Sequence, residues 1–138
     1  MTEKIKIIID TNLWISFLLS KKFDFLDHLL NAEKVQLIFS KELFEELMEV
    51  STRSKLKKYF KKEDWKFVFN IIARYAVFIP VISSETGCRD KKDDFLLSLS
   101  KDSNANYLLT GDKDLLVLGK IGATQIITIS EFQTKHKI

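Results

Sequence analysis

A recurring local pattern constrains this chain most: a short apolar run, an abrupt polar stop, then a segment with helical spacing. Residues 5–9 are apolar and β-branched except for Lys6, and the run stops at Asp10-Thr11-Asn12. Such a run reads as a strand buried on both faces. The spacing predicts a helix over 13–19 and another over 23–31, then a second strand over 35–39. Ser40 stands where a helix N-cap belongs, ahead of an amphipathic segment over 41–50. A basic helical stretch over 55–60 and a longer helix over 63–75 follow. A third strand is expected over 77–82, with Pro80 near its end, and a loop over 83–92 that holds Gly87. The pattern then repeats: helix 93–101, strand 106–110, a short helix through 118, strand 125–129 and a terminal helix from Ser130.

Strands and helices that alternate in this way imply an α/β fold: a three-layer α/β/α sandwich around a mostly parallel central sheet of about five strands. At 138 residues, with one proline and four glycines, the chain is expected to form a single domain over 1–138 without long linkers. Cys88 stands alone, so no intramolecular disulfide is possible, and it has no Cys or His companions for a zinc site. The N-terminus is too short and charged for a signal peptide, and no run of about 18 apolar residues exists to span a membrane. The expected location is the cytoplasm, with no membrane partner. A net charge of +3 permits a polyanionic partner without demanding one.

In an open parallel sheet, ligands bind beyond the carboxyl ends of the strands. Residues that follow strands therefore carry the functional signal. Asp10 follows the first strand and Asp112 the fourth, so both are expected at one rim. Either could do no more than cap the next helix. Of the glutamates in 41–50, Glu46 lies at the edge of the apolar stripe, roughly 40° from Val50 on a helical wheel. Glu42, Glu45 and Glu49 fall further out, on a solvated face. In 93–101 the same test puts Asp93 on the side of Leu96, Leu97 and Ser100, and Asp94 on the opposite, solvent side with Ser98. Asp90 and Asp114 stand close by. Clustered carboxylates raise one another's pKa and persist where a cation neutralises them. A donor set of oxygens favours Mg²⁺ or Mn²⁺. Such an ion activates water and stabilises charge on a phosphate, which suits phosphodiester hydrolysis.

Four stretches carry a resemblance: IIIDTNLWISFLLS at 7–20, SKELFEELMEV at 40–50, CRDKKDDFLLSLS at 88–100 and YLLTGDKDLL at 107–116. Their order and spacing resemble the PIN-domain family, in particular the toxin components of toxin–antitoxin systems. The resemblance implies a ribonuclease acting on RNA with Mg²⁺ or Mn²⁺, and it makes Asp10, Glu46, Asp93 and Asp112 the catalytic and metal-holding acids. Thr11, Asn12, Ser40 and Thr110 match the polar residues that orient those acids, with Asp90 and Asp114 as further acidic positions. It also implies a homodimer and an antitoxin protein as partner.

A phosphatase of the haloacid dehalogenase type would want a D-x-D-x-T pattern, but residue 12 is Asn, and Leu116 stands where its later acid belongs. A receiver-like domain would want paired acids ahead of the first helix, and none occur. A non-catalytic RNA-binding or interaction module is the alternative of another class. Its basis is the segment Lys55, Lys57, Lys58, Lys61 and Lys62 with Tyr59 and Phe60 between, which also reads as an ordinary solvated face. His28 is isolated, His136 is expected in a frayed tail, and Trp14 and Trp65 read as packing residues.

Overall fold

The computed structural model describes residues 4–20, 28, 34–53, 62–82 and 94–136. The expected helix over 23–31, the basic segment over 55–60 and the loop over 83–92 lie outside them, His28 excepted, which is exposed.

β1 (Ile5–Ile9) carries Ile7, Ile8 and Ile9 in succession, all essentially inaccessible. Successive strand residues point to opposite faces, so both faces of β1 are covered. α1 (Thr11–Ser20) follows at once, because the Asp10 carbonyl accepts the amides of Leu13 and Trp14. β2 (Val35–Phe39) pairs in parallel with β1. Ser40 then caps α2 (Lys41–Ser51): its backbone is extended and its Oγ accepts from Leu43 N at 3.1 Å. Leu43, Leu47 and Val50 are buried along α2, which matches the apolar stripe expected there.

α3 (Lys62–Tyr75) has Glu63 and Asp64 in its first turn and Arg74 in its last, the arrangement that complements a helix dipole. It runs directly into β3 (Ala76–Phe78). The strand is shorter than the expected 77–82 and starts one residue earlier. Ile79 N still reaches Phe39 O at 2.9 Å, but Pro80 has no amide to continue the ladder. α4 (Asp94–Ser103) ends at Asn104, which takes a left-handed φ of 54°. β4 (Tyr107–Leu109) and the one-turn α5 (Lys113–Leu116) come next.

Two features depart from the expected order. β5 (Lys120–Ile121) pairs antiparallel with β6 (Thr124–Ile127) across the two-residue turn Gly122-Ala123, where Gly122 has φ 56°. Glycine in the first central position suits such a hairpin turn. β6 also stops short of the expected 125–129. Thr128 and Glu131 exchange bonds, Glu131 N to Thr128 Oγ1 at 3.1 Å and Thr128 N to Glu131 Oε1 at 3.3 Å, forming a capping box that opens α6 (Ile129–His136). His136 is not frayed. Its ring lies against Phe132 and its Nε2 is 3.0 Å from the Tyr107 hydroxyl, so the fully buried Phe132 docks the helix end.

Among the described residues the sheet has six strands in the order β3-β2-β1-β4-β6-β5, all parallel except the last pair. α2 packs on α1 and on α4, and α3 packs on β2 and β3. Trp14, 1% exposed, sits edge-on to Phe17 and tilted against Phe39, while Trp65 stacks near Phe69, so both tryptophans pack as expected. No helix among the described residues is long and apolar enough to cross a membrane. The strand order reverses at β1: β2 and β3 lie to one side, β4 and β6 to the other. That reversal opens a crevice at the carboxyl ends of β1 and β4.

Ser40→Ala removes the α2 cap from a fully buried position. It should lower unfolding stability by about 1 kcal/mol. A urea titration should show an earlier midpoint with an unchanged slope.

Candidate active site

Register decides what meets in the crevice. Ile9 pairs with Leu109, so Asp10 and Thr110 emerge side by side. Asp10 N extends the ladder to Leu109 O at 3.0 Å, and Thr110 N reaches Ile127 O at 3.0 Å. Thr110 Oγ1 donates to Asp10 Oδ2 at 2.7 Å and accepts from Asp112 N at 3.0 Å. One buried hydroxyl thus ties the two acid-bearing turns together. Asp10 Oδ1 accepts from Asn12 N at 3.3 Å, while Asn12 itself is exposed. Asp112 caps α5 by accepting from Asp114 N at 2.8 Å. The capping role considered for both acids is real, and it leaves further carboxylate lone pairs in the crevice.

Glu46 arrives from α2. Thr11 Oγ1 donates to Glu46 Oε2 at 2.9 Å, so the residue next to Asp10 holds the helix glutamate. Glu46 is half-buried while Glu42, Glu45 and Glu49 are exposed, as the wheel implied. These glutamates, with Arg53 and Phe95, line a groove of about 320 Å³. Lys41 lies 3.9 Å from Glu45 and Arg53 3.8 Å from Glu49, both in solvent.

Hydrogen bonds therefore link Glu46 to Thr11, and Asp10 through Thr110 to Asp112 and Asp114. Ser40 contributes by holding the α2 N-terminus, since its hydroxyl goes to Leu43 N. Asp90 and Asp93 lie outside the described residues. Asp94 opens α4 half-buried, and Ser98, one turn on, is 4% exposed. The Asp94–Ser98 stripe is thus not the solvent face that the wheel implied. Ser98 tolerates burial because its hydroxyl bonds to the Asp94 carbonyl at 3.2 Å. Among the described residues, no three acidic, histidine or cysteine side chains converge as a complete metal shell.

Asp10 is the electrostatic centre. It is 4% exposed, and no lysine or arginine pairs with it among the described residues. Burial pushes its carboxyl above the usual value, and the charge of Asp112 pushes the same way. Hydrogen bonds from Thr110 and from the amides of Asn12 and Thr11 oppose that push without overcoming it. A buried carboxylate with a second carboxylate beside it and only neutral donors around it is suited to a cation. The donors are oxygens alone, which fits a hard divalent ion.

Comparison with known proteins agrees with this geometry. The PIN-domain family model matches residues 6–114, and the chain belongs to that family. PIN domains are generally nucleases. An uncharacterised protein of Methanocaldococcus jannaschii is 31% identical over 121 residues, covering 83% of this chain and 76% of that protein. The crystal structure of VapBC2 from Rickettsia felis, bound to a DNA fragment from their promoter, is similar in fold. Its TM-score is 0.57 at 17% identity, over 88% of this chain and 97% of that one.

Asp10 should leave a signature in stability. Its folded value lies above its unfolded one, so the folded state holds the proton more tightly. Below the ordinary carboxylate range both states are protonated and nothing is lost. As pH rises between the ordinary value and the raised one, the folded state loses stability. In metal-free buffer, Asp10→Asn should therefore match the parent protein near pH 3 and melt at a higher temperature near pH 7. A parent protein that gains on Asp10→Asn as pH rises would contradict the assignment.

Proposed function

We propose that this chain is a metal-dependent endoribonuclease that hydrolyses phosphodiester bonds of single-stranded RNA, acting as one domain over 1–138. The observation that carries the proposal is the buried Asp10 carboxylate, without a cationic partner among the described residues, beside Asp112 at the point where the strand order reverses. Asp10, Glu46, Asp93 and Asp112 are the residues that would hold Mg²⁺ or Mn²⁺. A bound ion of this kind lowers the pKa of water and stabilises charge on a phosphate.

The chain's own residues orient the site. Thr110 fixes Asp10 Oδ2 and the Asp112 turn, and Thr11 fixes Glu46 Oε2. Asn12 supports Asp10 through its amide, Ser40 supports Glu46 through the helix cap, and Asp114 adds negative charge at the rim; Asp90 is the further acidic position that the resemblance implies. An unpaired strand can bend its backbone toward such a rim, whereas a duplex is stiff.

The four motifs that resemble toxin components further support a toxin that works in the cytoplasm as a homodimer with a small antitoxin. The fold likeness to VapBC2 is consistent with that assignment.

The test is cleavage of end-labelled single-stranded RNA. Activity should require Mg²⁺ or Mn²⁺, vanish with EDTA, and vanish in Asp10→Asn and Glu46→Gln. Thr110→Val and Thr11→Val, which touch only the acids, should lose about 10- to 100-fold. Cleavage that survives EDTA would refute the metal reading. A folded protein that binds RNA without cutting any sequence would favour a binding module instead. Asp93→Asn should abolish cleavage while Asp94→Asn retains it; the reverse result would move the third acid to Asp94.

A further inference from the structure

The sheet has a second polar end. Opposite the acidic rim, at the amino ends of β1 and β2 and ahead of β4, Lys4, Lys6, Gln36, Asn104 and Asn106 line a cleft of about 420 Å³. Hydrogen bonds and strand register fix its frame. Lys6 stands in register with Gln36, and Lys6 N donates to Asn106 Oδ1 at 2.8 Å while Asn106 N donates to Lys6 O at 2.9 Å. The Asn106 carbonyl oxygen is thereby engaged, which leaves its amide nitrogen as the donor. Asn104 is held in a left-handed conformation at the end of α4. Lys34 is exposed beside the cleft, since its carbonyl accepts from Ile5 N at 2.7 Å.

Among the described residues, no carboxylate lines this cleft, and none of Lys4, Lys6 and Lys34 forms an ion pair. No aromatic ring lines it either. Ammonium groups and amides without acids or stacking surfaces suit phosphate oxygens and not bases. From this arrangement we infer that the cleft is a second binding site for the phosphodiester backbone of RNA, blind to sequence and separate from the rim that holds Asp10. Asp10 follows the strand that carries Lys6, about 13 Å further along the chain direction. An RNA that extends past the rim engages both ends of the molecule, while an oligonucleotide that only fills the rim does not.

The inference rests on RNA as the substrate, but its test does not depend on cleavage. Fluorescence anisotropy with a labelled single-stranded RNA of about 20 nucleotides, a span of one to several single-strand sites, is measured in EDTA at several salt concentrations. The Lys4→Gln, Lys6→Gln double variant should bind more weakly than the parent protein, with a salt slope of log K reduced by about 1.4, or 0.7 per lost phosphate contact. Homopolymeric and mixed-sequence RNAs should be affected alike, and the Lys4→Arg, Lys6→Arg variant should keep the parent slope. Thermal melts establish that each variant is folded; Lys4→Gln alone, with about half the slope change, serves if the double variant is not. Unchanged affinity and slope would overturn the proposal. Displacement of the RNA by equimolar inorganic phosphate at matched ionic strength would reassign the cleft to a small phosphate compound and also overturn it. Displacement by polyglutamate, with RNA binding insensitive to the lysines, would point to an acidic protein and do the same. If the protein binds RNA with the expected slope change yet never cleaves it, the nuclease reading fails and this one stands.

Discussion

In-register pairing of β1 with β4 is the contact on which the site depends. These strands are distant in sequence, and nothing local brings them together. Once Ile9 sits opposite Leu109, Asp10 and Thr110 leave the sheet as neighbours, and the threonine hydroxyl can bridge from Asp10 to the turn of Asp112. A slip of one residue would turn every side chain of the strand to the other face. Ile7, Ile8 and Ile9 of β1 and Leu108 and Leu109 of β4, all inaccessible, oppose that slip. Core packing therefore sets the spacing of the acids.

The same packing makes Asp10 costly. Ionising a carboxylate removed from water is unfavourable, and Asp112 adds repulsion that the donors around Asp10 do not cancel. A protein selected for stability alone would hold an amide or an apolar residue there. The arrangement makes physical sense if a cation neutralises the pair, and Thr11 extends it by fixing Glu46 from the adjacent position. Charge among the described residues is also divided between the two ends of the sheet, with Asp10 and Asp112 at the carboxyl ends of the strands and Lys4 and Lys6 at the amino ends.

Much of this was legible in the sequence where one helix or strand carries the signal. The β-branched run before Asp10, the Ser40 cap and the inward edge position of Glu46 follow from local periodicity, and each stands in the structure as read. Features that depend on tertiary contacts were not legible. The hydroxyl of Thr11 reaches Glu46 only because α1 packs on α2. Asp94 and Ser98 looked solvent-facing on a wheel, yet Ser98 is buried because its hydroxyl is satisfied within its own helix. His136 is ordered by Phe132 and Tyr107, the latter far away in sequence. The two-residue β5 was too short for any alternation to reveal, although Gly122 marked its turn. The capping box of Thr128 and Glu131 was a readable signal, and it would have placed the start of α6 correctly.

The central claim is that Asp10 and Asp112 form the heart of a divalent-cation site. Electron paramagnetic resonance of Mn²⁺ titrated into the protein addresses it without any substrate. The free-ion signal should be depleted in a saturable way by the parent protein. Asp10→Asn, shown by its melt to be folded, should lose that saturable depletion. Equal Mn²⁺ uptake by both proteins, or none by the parent protein, would contradict the account.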